Sequence, residues 1–184
     1  MALSRVLISL CIVASSLGTS AMAQFTKPGP EHKILAADEG TWDATVKSFA
    51  AGPDAEPTVS KGTEVNTVLP GGLWVLSKFE GDFDGVKFEG RGQFGYDPLK
   101  KKYIGTWIDS MSAGLTVLEG TYDAKTKTMT YEGDAVEPAT KMKYHEKMVT
   151  ATKDDGTRVF TLYMKIGEAK DEVKFMEVTY RKRK

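Results

Sequence analysis

Cysteine is nearly missing from this chain, which carries a single one, Cys11. A lone thiol closes no intramolecular disulfide and supplies no multi-cysteine metal site. Histidine is scarce as well, with only His32 and His145. Nucleophile–histidine pairs therefore have few places to form, and no Gly-x-Ser-x-Gly elbow occurs. Neither sign of charge is in excess, since 25 Lys and Arg face 25 Asp and Glu. A chain without net positive charge offers no broad basic field to nucleic acid, so none is expected as a partner. The basic tail "YRKRK" is local and reads as a solvated terminus. Long apolar runs are also lacking. The stretch Val6 to Ala14 is too short for a bilayer, which needs about 20 residues.

That stretch has another reading. Arg5 precedes it and Ala21-Met22-Ala23 follows it. A positive start, an apolar middle and an Ala-x-Ala end make a secretory signal peptide over residues 1–23. Cys11 follows Leu10 rather than a small residue, so it is not placed as a lipid anchor. Cleavage would leave Gln24 first and a mature chain without cysteine. The expected location is exported, periplasmic or secreted, with no transmembrane segment in the mature chain. Residues 24–39 read as a linker and short helix, and residues 40–184 as one β domain. In "PEHKILAADEG", Pro30 suits a first turn, Glu31 its positive end, and Gly40 its stop.

From Gly40 onward the pattern is β. "TWDATVKSF" puts Trp42, Ala44, Val46 and Ser48 on one face. "VKFEGRGQFGY" puts Val86, Phe88, Gly90, Gly92, Phe94 and Tyr96 together. Asp84-Gly85 and Asp155-Gly156 are hairpin turns, because such turns need positive φ. Roughly ten runs alternate with turn residues, and none is separated from the next by a crossover helix. The fold class is therefore all-β, an antiparallel up-and-down meander. Such a meander removes its edges by closing into a barrel.

A short helix, then Gly40-Thr41-Trp42 opening the first strand, then a meander, resembles the lipocalin-like (calycin) superfamily. The resemblance implies that Trp42 plugs the closed end under a basic residue from the last strand, Arg181 or Arg183. A guanidinium over an indole gains cation–π energy there. "FEGDFDGVKFEGRGQFGYD", "KKYIGTWIDSMSAGLTVLEGTYD" and "FMEVTYRKR" more closely resemble a bacterial secreted family of unknown function. That resemblance implies the calycin-like barrel and no particular activity. The chain departs from the family's common Ser-Met-Ser-Thr at Ala113.

Candidate ligand contacts follow from polar groups on apolar faces. Glu146 shares a face with Met142, Tyr144 and Met148, while Arg158 shares one with Phe160, Leu162 and Met164. A buried charge needs a partner. The two could meet across the Asp155-Gly156 turn or lie wet at the rim. His145 sides with Lys141, Lys143 and Lys147, facing water, which counts against a haem barrel resembling nitrobindin. In "YIGTWIDSM", Tyr103, Gly105, Trp107, Asp109 and Met111 share a parity opposite to Ile104 and Ile108. The expectation is that the Trp107 face is inward, although isoleucines would ordinarily claim the interior. Phe94, Tyr96, Tyr144 and Met164 complete the candidate lining. No metal motif and no cofactor are expected, and the sequence leaves the oligomeric state open.

Three functions fit. The first is a non-enzymatic protein binding a small apolar molecule or lipid inside the barrel. The second is an enzyme using Asp109 or Glu146 as acid or base in the same cavity. The third is a packed module without a ligand.

Overall fold

The computed structural model describes residues 26–52, 55–83 and 85–184. The expected signal peptide lies outside the described residues. A short helix, α1 (Pro30–Ala36), leads into β1 (Gly40–Ser48), β2 (Thr58–Val68), β3 (Trp74–Phe83), β4 (Val86–Asp97) and β5 (Lys102–Asp109). The chain continues through β6 (Thr116–Asp123), β7 (Thr128–Val136), β8 (Lys143–Thr152), β9 (Arg158–Ile166) and β10 (Val173–Lys182). Each strand pairs antiparallel with the next, and β1 pairs with β10 to close a ten-strand barrel. Closure leaves no strand edge exposed to another chain.

The turns obey the local chemistry. Phe83 pairs with Val86 across the two-residue connection, where Gly85 has a φ of 86°. Gly40 does not stop the helix, contrary to the expectation. The helix ends at Ala36, and Gly40 is the first residue of β1, with a φ of 123°. A Cβ there would stand 2.8 Å from Lys182 Cε, so glycine suits both the angle and the close approach.

Strand polarity sorts the barrel into two ends. α1, both chain ends of the barrel and the turns after β2, β4, β6 and β8 gather at one end. The connections after β1, β3, β5, β7 and β9 gather at the other. α1 packs on β3 and β4 and buries His32 and Leu35, which covers the first end. Leu35 joins Val75, Tyr103, Leu118 and Tyr131 in one apolar cluster. A second cluster joins Trp42, Ala44, Val46, Phe79, Val178 and Tyr180. No helix among the described residues is long and apolar enough to cross a membrane.

Candidate functional site: a polar group at each end of an apolar cavity

At the helix-covered end, Trp42 is buried and its Nε1 donates to the Asp38 carbonyl at 2.9 Å. The cation above it is Arg158, whose Cζ lies 3.7 Å from the indole centroid and 4.9 Å from the Tyr180 centroid. Arg158 Nη1 reaches Asp38 Oδ2 at 3.0 Å and Nη2 reaches Glu64 Oε1 at 2.7 Å. Asn66 Nδ2 donates to the same Glu64 oxygen at 2.8 Å. Burial raises the Asp38 pKa above its ordinary value against the opposing pull of Arg158. Burial likewise holds the Tyr180 hydroxyl well above its usual range.

The expected last-strand cation is corrected here. In register, Arg181 faces Asp43 while Trp42 faces Lys182, so Arg181 belongs to the outward parity. Its Nη1 lies 3.4 Å from Thr157 Oγ1. Arg183 Nε bonds Asp43 Oδ1 at 2.7 Å. Lys182 Nζ approaches the indole only to 5.3 Å. Arg158 takes the place because it pairs with Tyr180 beside Trp42. The expected meeting of Arg158 with Glu146 does not occur either. Arg158 pairs with Thr152 and Glu146 with Met164, opposite ends of one hairpin. At the strand rise they stand roughly 20 Å apart.

At the opposite end, open in that no described helix caps it, the site is built from β5, β6, β8 and β9. The Trp107 parity is inward, since Tyr103 and Gly105 are buried while Ile108 is half exposed. The exterior takes the isoleucines because the interior here holds the larger indole. Room for it comes from β4, where a Cβ at Gly90 would lie 2.1 Å from Trp107 Cζ2. Asp109 Oδ2 accepts from Trp107 Nε1 at 3.2 Å. Its Oδ1 accepts from the Met111 and Ser112 N–H groups at 2.8 and 2.9 Å. Asp109 thus fixes both the indole and the loop that follows.

Glu146 is 8% exposed, and its Oε2 has no hydrogen-bond partner among the described residues. Burial pushes its carboxyl up to about 7, with the charge of Asp109 adding and His145 opposing. Burial also raises the Tyr144 phenol. His145 itself sits outside the wall, its Nδ1 2.9 Å from Asp134 Oδ1.

Residues 27–182 match a family described as proteins of unknown function, DUF1579. The chain belongs to the DUF1579 family. No curated protein matches it.

Through this DUF1579 barrel, from one polar end to the other and onto its rims, runs a partly open cavity of about 1490 Å³. Small-molecule sites commonly occupy about 300–1,000 Å³, so the space exceeds what one drug-sized ligand needs. Its middle is walled by Phe79, Phe94, Met148, Phe160 and Leu162, with Phe88 nearer the open end. The candidate contacts divide unevenly around it: Phe94, Trp107, Asp109, Met111, Tyr144, Glu146, Arg158 and Met164 all line it. Tyr96 does not. It packs beneath α1, 6.0 Å from the His32 ring and 5.1 Å from the Tyr103 ring. Met111 is half exposed at the rim.

Sequence reasoning missed Asp38, Glu64 and Tyr131. Glu64 and Asn66 share parity in β2, but both faces of that strand carry polar residues, so no inward face stood out. Tyr131 buries its hydroxyl without a partner among the described residues and packs on Phe94 at 5.4 Å. Among the described residues no group of three or more His, Cys, Asp or Glu is placed to hold a metal ion.

Proposed function

We propose that this DUF1579 barrel is an exported carrier that holds a small apolar or amphipathic molecule without transforming it. The observation carrying the reading is the cavity of about 1490 Å³ walled by aromatic and thioether side chains. Burial of a hydrocarbon body against that wall drives binding at about 25 cal/mol per Å² of apolar surface. Polar groups at the ends then choose among ligands. The Arg158 charge is met within its own cluster by two carboxylates, and the cluster serves the wall itself. Among the described residues Glu146 has no such partner, which leaves its carboxyl for a ligand.

A second reading has one observation in its favour. A carboxyl held at about 7 inside a cavity suits acid–base work at neutral pH. The test of the carrier reading is a titration with diphenylhexatriene, a hydrocarbon dye that fluoresces on leaving water. Saturable uptake by the mature chain is expected, weakened by Leu162→Arg in the mid-wall. Absence of uptake by a folded protein would overturn the carrier reading. Recovery of a bound host molecule in chemically altered form would favour catalysis instead.

A further inference from the structure

The charge pattern inside the barrel narrows the ligand. The charged residues of the cavity wall fall into two sets. The helix-covered end holds Arg158 with Asp38 and Glu64, together with the rim residues Lys33, Lys127 and Lys182 among others. The open half holds Asp109 and Glu146 and, among the described residues, no lining cation. Asp109 is occupied by three N–H donors. Glu146 lines the cavity, is more than nine-tenths buried, and has a buried Oε2 without a hydrogen-bond partner among the described residues.

Among the described residues, no element around Glu146 brings a basic counter-ion to its cavity face. Its register neighbours are Gly133 on β7 and Met164 on β9, neither of them charged. β5 brings Asp109, β6 brings Thr116, and β4 brings Phe88 and Gly90. On β8 itself Tyr144 lines the cavity, while His145 points to Asp134 outside. A buried acid with a second acid nearby and no basic partner is costly when ionised. A ligand that supplies the missing cation removes that cost.

We propose that the open end is a cation subsite that takes the protonated amine head of an amphiphile, with Glu146 as its counter-ion. The inference rests on the carrier reading above and adds the ligand's polar chemistry to it. The ammonium pairs with Glu146 beside the Trp107 indole, whose face also favours a cation. The hydrocarbon tail runs down the barrel past Phe94, Met148 and Phe160 toward the internally paired Arg158 cluster. A fatty acid in the same pose would set a third carboxylate against Glu146 and Asp109. The carboxyl of the empty protein, held at about 7, gives up its proton when the amine docks.

The experiment is displacement of bound diphenylhexatriene by dodecylamine, dodecanol and dodecanoate, three probes with one tail and different heads. Dodecylamine is expected to displace the dye at about tenfold lower concentration than dodecanol, with dodecanoate weakest. Its affinity should fall about tenfold from about pH 8 to about pH 5.5, as Glu146 takes up its proton. In Glu146→Gln, checked for folding by melting, the amine should lose its advantage over the alcohol. Equal displacement by all three, or tighter dodecanoate, overturns the amine subsite and leaves the carrier reading standing. An amine preference that persists in Glu146→Gln and ignores pH also overturns it. Failure of the dye to bind at all removes both.

Discussion

Two residues at opposite ends of the barrel carry most of the account, and each answers to substitution. Arg158 is a buried cation stacked on Trp42 and bonded to Asp38 and Glu64. Arg158→Ala would leave two carboxylates facing an indole without a cation. The expected loss is about 3–5 kcal/mol, read as a lower urea midpoint. Trp42→Ala should cost a similar about 3–5 kcal/mol by opening a cavity beside the guanidinium. An unchanged midpoint in either variant would contradict the plug. Glu146 gives a pH signature. An unfolded glutamate titrates near 4.5, and the folded one at about 7. Between those values the folded state holds more protons than the unfolded one, so stability falls as pH rises. The penalty is absent below about pH 4.5 and complete above about pH 7, on the order of 3 kcal/mol. Glu146→Gln should flatten that stretch of the stability profile. A profile identical to that of the parent chain would show that the carboxyl is not buried as described.

At the scale of elements, β4 and β5 form the device that shapes the open end. Gly90 and Gly92 pair with Asp109 and Trp107 and leave the space that the indole fills. Gly90→Val should push Trp107 off the wall. Its fluorescence should shift toward that of an exposed indole, with weaker dye uptake. Unchanged emission and uptake would mean that the contact does not position Trp107. The glycines of "GRG" are visible in the sequence, but the indole they make room for is not, because it arrives from the next strand. The same limit applied to parity in β5. Alternation showed that Trp107 opposes Ile108, yet only the neighbouring strands decide which of the two faces inward. Gly40 shows a related ambiguity, since a glycine after a helix serves equally as a stop or as the first residue of a strand.

For the molecule as a whole, the meander was legible because its cues are local. Period-2 alternation and Asp-Gly turns lie within a few residues of one another, and closure follows from removing edges. The partner of Trp42 was not legible, because it depends on which strands meet across the seam. Arg158 sits 116 positions after Trp42 and reaches it only through β10, whose Tyr180 pairs with both Arg158 and Ala44. Glu64 and Asp38 were hidden for the same reason. The cavity is a property of the closed barrel and of no single strand. Ten strands surround more space than these side chains fill, so a cavity remains among the aromatic residues that line it.

The most direct measurement of the central claim is native mass spectrometry of the protein purified from its own host. The account predicts a complex heavier than the bare chain, which releases one small amphiphile of discrete mass on denaturation. The bare mass alone, from a folded protein that also refuses diphenylhexatriene, would contradict it.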